Sequence, residues 1–323
     1  MKAIVQDTYG TADVLELRDI DPPVITADEV LVEVRAAGVE PGVWHLMTGL
    51  PYLVRVMGYG FTRPKYPVRG RDVAGRVEAV GANVTRFQPG DEVFGTCEGS
   101  FAEYAAARED KLAIKPANLS FEEAAVIPIS GMTALQALRD KGRVRPGDKV
   151  LIIGAGGGVG TFSVQLAKAF GAEVTGVCSS SKVDLVLSIG ADQVIDYTRE
   201  DFADKAGHYD LIIDNAGNRP LSRLRRALAA EGTLVIVGGE GGGAWVGPAD
   251  RIVPVAILSP FVRHRLLSLM AAERQDDLEL LAEMAESGKF TPAVDRRYPL
   301  VEAPDAVRYV GEGHARGKVV VTI

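Results

Sequence analysis

Apolar and polar residues alternate with a period of two along 30–35 (VLVEVR), the mark of a half-buried strand. Further short strands are expected at 76–80, 92–94 and 101–105, with turns at Gly81, Pro89, Gly90, Asp91 and Gly99. Several short, evenly spaced strands predict a β-rich domain of barrel-like type.

From about Ala124 the rhythm changes. Apolar runs at 150–153, 173–177, 193–195, 211–213 and 233–237 alternate with helical stretches at 158–170, 182–189 and 221–230, the first two closed by Gly171 and Gly190. Repeated strand–helix units predict a parallel sheet with helices on both faces. Its strands are unbroken apolar runs because both faces are covered. Strand character returns at 318–321, which predicts that the tail rejoins the first domain. The expected organisation is therefore a Rossmann-type α/β domain (125–266) inserted into a discontinuous β domain (1–124 and 267–323). The run IVPVAIL at 252–258 reads as an apolar edge after the last core strand, and such an edge needs cover.

Composition narrows the function. With 323 residues and 47% hydrophobic content there is material for two domains. A net charge of −7 argues against nucleic acid or an anionic membrane as partner. Two distant cysteines, Cys97 and Cys178, give neither a disulfide framework nor a CxxC site. No stretch approaches the roughly 20 apolar residues of a membrane span, and the N-terminus lacks the apolar core of a signal peptide. A reducing, cytoplasmic setting is expected.

The chemistry begins at GAGGGVG, 154–160, between an apolar strand and a helix. In the register of a dinucleotide-binding turn the residues are Ala155, Gly156, Gly157, Gly158, Val159 and Gly160, with alanine at the first glycine position. Bare backbone lets N–H groups approach a pyrophosphate at the positive end of a helix. A plain tight turn would not need five glycines. At the end of the next strand an NAD-specific site places an acid. Here stand Cys178, Ser179, Ser180, Ser181 and Lys182, and hydroxyls with a cation suit the 2′-phosphate of NADPH. The serines would also cap the helix that follows, and both readings hold together.

The chain resembles the medium-chain dehydrogenase/reductase superfamily, most of all its zinc-independent quinone oxidoreductase branch. The resemblance rests on GRDVAG (70–75), PGDEV (89–93), the glycine turn, GADQVIDY (190–197) and HARGK (314–318), in the right order over most of the chain. It implies a GroES-like catalytic domain, a nucleotide-binding domain, an active cleft between them, NADPH and a homodimer. By the same resemblance Lys182 and Tyr197 hold the 2′-phosphate side of the cofactor. Asn215 and Gly217 belong to the loop passing the adenine-side ribose. Gly238 and Gly239 lie beside the nicotinamide, and Arg316 and Lys318 sit in the C-terminal loop that closes over the cofactor.

Zinc-containing relatives carry Cys near Glu40 and Gly-His-Glu where this chain has Gly70, Arg71 and Asp72, and they have a cysteine near Ile129. Zinc needs three or four well-placed ligands, so no catalytic metal is expected, and Arg71 reads as an ion-pair partner of Glu40 and Asp72. Against the quinone-reductase pattern, Glu40 replaces Asn, Val43 replaces Asp, and His45 stands where some relatives have Tyr. Without metal the hydride chemistry belongs to the cofactor. His45 is the leading candidate for the proton donor, against an ordinary surface histidine, and Tyr52 is next. Trp44, Tyr52 and Tyr59 are the better candidates for a pocket wall in an otherwise core-like segment, 44–66. The expected function is NADPH-dependent reduction of a quinone or α,β-unsaturated carbonyl. The alternatives are an alcohol/aldehyde dehydrogenase and a non-catalytic cofactor-binding protein.

Overall fold

Six apolar runs pair into one sheet in the computed structural model, which describes residues 1–204, 206–238, 243, 245, 247 and 249–323, with 249 and 250 in backbone only. The strands are β1 (Lys149–Ile153), β2 (Glu173–Cys178), β3 (Gln193–Asp196), β4 (Tyr209–Asp214), β5 (Leu228–Ile236) and β6 (Arg265–Ser268). Their order is β3-β2-β1-β4-β5-β6, and every neighbouring pair is parallel. This is a doubly wound order with its reversal between β1 and β4. Ligands of such sheets bind outside the carboxyl ends of the strands at that reversal. Val150, Leu151 and Ile152 are wholly buried, which accounts for the absence of a polar face in the sequence of β1.

Helices α1 (Gly158–Ala169), α2 (Val183–Ser188), α3 (Leu221–Ala227) and α4 (Ala249–Leu258) accompany the sheet. Two readings change. The helix expected over 221–230 stops at Ala227, and Leu228 begins β5 directly. The apolar run 252–258 is a helix and not a strand edge. It carries Pro254, which would remove a ladder hydrogen bond from a strand. Its burial is one-sided: Val255 is 3% exposed, whereas Val253 and Ile257 are 52% and 64% exposed. The edge of the sheet is β6.

By packing the chain divides into two units, residues 133–272 and residues 1–132 with 273–323. The second unit holds a seven-stranded sheet centred on the strand Glu29–Val39. This strand pairs antiparallel with Asp72–Val80, Tyr104–Arg108 and Lys318–Thr322. The tail thus joins the sheet of the unit that begins the chain, with Val319 opposite Val39. Glu92–Thr96 extends the sheet beyond Asp72–Val80, and Val294–Pro299 lies outside the C-terminal strand.

Candidate functional site

The glycine turn follows β1 at the reversal of the sheet. Gly154 has φ +76°, a conformation that favours glycine. A Cβ on Gly160 would stand 2.1 Å from Gly154 O, so this glycine lets α1 pack on the turn. Ala155 is buried and donates its N–H to Val177 O, which binds the turn to β2. A Cβ on Gly157 would approach only Gly154 O, at 3.4 Å. Packing inside the protein does not require glycine there, whereas close approach by a ligand would. Gly158 and Val159 begin α1, whose N-cap is Gly157 with no side chain bonded to the first-turn N–H groups. Those donors are what an anion at a helix N-terminus uses.

The next strand ends differently from its sequence-based reading. The serines do not cap α2: neither Ser179 nor Lys182 makes a side-chain cap bond. Ser179 Oγ lies 3.3 Å from Ser181 Oγ, and Ser180 donates to Asp196 Oδ2 at 2.5 Å. Asp196 closes β3 directly opposite Cys178 in register. Parallel pairing therefore brings an acid to a strand end whose own sequence has none. The Lys182 stem lies over the turn, since a Cβ on Gly156 would meet it at 2.8 Å. Tyr197 is half exposed, with the Arg219 guanidinium 5.5 Å above its ring. Arg219 is a further cation that sequence order alone could not bring here.

At the end of β4, Asp214 is wholly buried. Its Oδ1 accepts from Gly217 N at 3.0 Å and its Oδ2 from Arg251 Nη2 at 2.9 Å. Burial pushes its carboxyl up, against these two bonds. Arg251 also donates to Arg219 O, so α4 fixes the turn after β4. Both polar atoms of the Asn215 side chain are buried and have no hydrogen-bond partner among the described residues. Buried amides are normally satisfied, so these atoms suit a bound polar group. A Cβ on Gly238 would stand 1.9 Å from Asn215 O, which fixes glycine after β5. A cavity of about 440 Å³ beside this turn is lined in part by Gly217, Arg219 and Arg251. Gly239 lies outside the described residues. The open first turn of α1, the bare Gly157 and the unsatisfied Asn215 fit a dinucleotide.

In the other unit, His45 lies on the helix Pro41–Thr48, with Nδ1 2.9 Å from Leu50 O. A carbonyl only accepts, so Nδ1 carries a proton and the neutral ring presents a lone pair at Nε2. His45 therefore donates a proton from Nε2 only as the imidazolium. Tyr52 is 39% exposed and stacks with Arg55, whose guanidinium lies 4.9 Å from its ring. Trp44 leaves the pocket reading: a Cβ on Gly311 would meet its ring at 2.4 Å, so it packs against the helix Ala303–Gly311. Tyr59 uses its carbonyl, which accepts from the Tyr9 hydroxyl at 3.0 Å.

The positions of the zinc ligands hold a charge network. Arg71 pairs with Glu273 and Glu98, not with Glu40 or Asp72 as expected. Burial works against its charge, and Glu273, Glu98, Tyr59 and Glu40 together more than offset it. Glu273 also accepts from Thr96 Oγ1 at 2.9 Å and, through its carbonyl, from Lys111 Nζ at 2.9 Å. Asp72 is wholly buried; Oδ1 accepts from Ile129 N at 3.0 Å, and Oδ2 lies 3.5 Å from Lys318 Nζ. Burial raises its pKa to about 7. Glu40 accepts from Gly42 N at the start of the helix Pro41–Thr48. Among the described residues no group of three or more His, Cys, Asp or Glu could hold a metal ion.

The two tail residues separate. Arg316 is exposed, with its N–H held by Asp295. Lys318 is 2% exposed and donates to Ser130 Oγ at 2.9 Å, beside Asp72. Its ammonium is taken up inside the unit as the counter-charge of a buried carboxylate.

Two family profiles match the chain: "Alcohol dehydrogenase GroES-like domain" over residues 26–117 and "Zinc-binding dehydrogenase" over residues 189–321. The chain is 34% identical to the 2-methylene-furan-3-one reductase of Solanum lycopersicum, over 99% of this chain and 79% of that protein. It is 31% identical to the chloroplast envelope quinone oxidoreductase homolog of Arabidopsis thaliana, over 99% and 98%. It superposes on the Escherichia coli quinone oxidoreductase complexed with NADPH with a TM-score of 0.85, at 25% identity, covering all of both chains.

Proposed function

The chain belongs to the medium-chain dehydrogenase/reductase superfamily, in its quinone oxidoreductase-like branch, and on that premise we propose that it is a metal-independent reductase of quinones or α,β-unsaturated carbonyls. The observation that carries the cofactor part is the strand-end edge of the parallel sheet, where Gly157 presents no side chain, the N-cap of α1 leaves its first-turn N–H groups uncapped, and the Asn215 amide has no partner among the described residues. Lys182 and Tyr197 support NADPH as the cofactor. The nicotinamide supplies the hydride when bound.

The protein's own residues orient and protonate. The turn at 154–157 and α1 hold the pyrophosphate, and Asn215 holds a ribose or amide edge. The donor set at Glu40, Arg71 and Ile129 does not fit zinc, because a guanidinium held by two carboxylates stands at the central position. An isolated carbonyl would place its developing charge on one oxygen, which a metal stabilises as a Lewis acid. A conjugated acceptor spreads that charge and needs only hydrogen-bond donors and a proton source. Imidazolium His45, Tyr52 or water supplies the proton.

A homodimer belongs to the same reading. The outer edge of β6 has no neighbouring strand among the described residues, and Val253, Ile257 and Phe261 are exposed nearby in sequence. Two-fold pairing would cover both features. Light scattering at micromolar concentration tests it, and a monomer mass rejects it. We place the protein in the cytoplasm; among the described residues no helix is long and apolar enough to cross a membrane. NADPH oxidation with a quinone, an enone and a simple aldehyde tests the reaction. Turnover of the first two is expected, and NADPH binding without any turnover would leave a non-catalytic binding protein.

A further inference from the structure

We infer that Asp196, through Ser180, is the residue that keeps the 2′ end of the cofactor site open to NADH as well as NADPH. The inference rests on the nicotinamide reading above and concerns which form of the dinucleotide enters.

Hydrogen-bond polarity carries the argument. Ser180 has one proton, and its shortest contact, 2.5 Å, is to Asp196 Oδ2. Thr198 donates to Asp196 Oδ1 at 2.7 Å from its hydroxyl and at 3.0 Å from its N–H. An ionised carboxylate only accepts, so both hydroxyl protons point at it. Ser180 and Thr198 are 3.1 Å apart, and with both protons engaged they turn lone pairs outward. Lone pairs suit the 2′-hydroxyl of NADH, which donates. They do not suit a 2′-phosphate, which accepts and repels the carboxylate behind them. The Asp196 carboxyl is held below its ordinary range by the Ser180 and Thr198 bonds, so it is ionised at neutral pH.

Cations act in the other direction. Lys182 lies over Gly156, and Arg219 stacks on Tyr197. Arg199 Nε is 3.5 Å from Asp196 Oδ2 and offsets part of its charge. The site therefore joins a phosphate-binding set to the acid of an NAD site, delivered by β3 instead of β2. The NADPH preference expected from the sequence becomes a narrow one.

The test is direct titration of NADPH and NADH into the full-length protein, read by calorimetry, for wild type, Asp196→Asn and Ser180→Ala, with thermal melts to verify folding. The wild-type dissociation constants should differ by less than about 10-fold. Asp196→Asn places an amide that donates where the carboxylate only accepted, and should move the NADPH-to-NADH affinity ratio by about 10-fold or more toward NADPH. Ser180→Ala removes the ribose acceptor and should weaken NADH more than NADPH. A folded Asp196→Asn whose ratio is unchanged, or moves toward NADH, overturns the inference and leaves the cofactor reading standing. A wild-type protein that binds neither dinucleotide overturns both.

Discussion

The carboxyl ends of β1, β2 and β4 and the head of the strand Asp72–Val80 are both crowded with polar groups, yet they answer different questions. At the sheet edge, Asn215 leaves two buried polar atoms without partners among the described residues, and none of those residues crowds Gly157 enough to require glycine. At the strand head, Arg71, Asp72, Glu273, Lys111 and Lys318 each meet an opposite charge within the same unit, so that Arg71 Nε and Asp72 Oδ2, which make no hydrogen bond among the described residues, still face a counter-charge. Buried polar groups are satisfied unless something else satisfies them. On our proposal the first region receives a ligand. The second, at the position where zinc relatives bind their metal, holds itself together.

Removal of one member of the closed network should have the largest effect. Arg71→Met leaves Glu98 without its ion-pair partner and Glu273 with Lys111 alone, and because the three groups are partly exposed the loss should be about 3 kcal/mol, the low end for a buried pair. Urea denaturation should show this loss, while cofactor affinity in the folded fraction stays near wild type. A stability equal to wild type would mean that the network contributes nothing. At the open edge, Gly160→Val drives a side chain into Gly154 O and should weaken NADPH by about 100-fold or more, roughly 2.7 kcal/mol. Gly157→Ala sharpens the contrast: its Cβ would make only an ordinary contact, at 3.4 Å to Gly154 O, so the melting temperature should fall by no more than the loss of an N-cap glycine while affinity falls further. If affinity also holds, no ligand approaches that turn.

Lys182→Ala comes next. Loss of one charge-assisted contact should weaken NADPH by about 10- to 100-fold and spare NADH. Equal losses for both would remove Lys182 from the 2′ end. The weakest signal is a slope with pH. Burial holds the Asp72 pKa at about 7, above its unfolded value of 3.8, with Glu40 raising it and Lys318, Arg71 and the Ile129 N–H lowering it. The folded state keeps a proton that the unfolded chain gives up. Stability should therefore decline as pH rises from about 4 to about 7 and level off above that. Asp72→Asn should flatten that decline, and an unchanged slope assigns it to other groups.

The two regions were also unequally legible in the sequence. The glycine turn is contiguous, and strand, turn and helix follow one another along the chain, so local spacing revealed Gly156 to Gly160 and the doubly wound rhythm. Asp196 and Arg219 reach the same edge only through parallel pairing and the packing of segments far apart in sequence. The Ser180 hydroxyl looked like a phosphate donor because its acceptor is 16 residues away. The charge network was harder still. Glu273 stands 202 residues from Arg71, so nearby Glu40 and Asp72 looked like the natural partners. Lys318 sat within a motif that implied cofactor contact, and only burial showed its pairing with Asp72. The run 252–258 misled for a different reason: continuous apolarity does not distinguish a short strand from a one-sided helix.

The central claim is that the sheet edge of one unit takes a dinucleotide and that the charge network of the other unit takes no metal. The most direct measurement is NADPH oxidation by a quinone or an enone after exhaustive dialysis against a chelator, with and without added zinc. The account predicts turnover unchanged by the chelator, no gain from zinc, and little reduction of a simple aldehyde. Activity lost to the chelator and restored by zinc, with oxidation of simple alcohols, would contradict it.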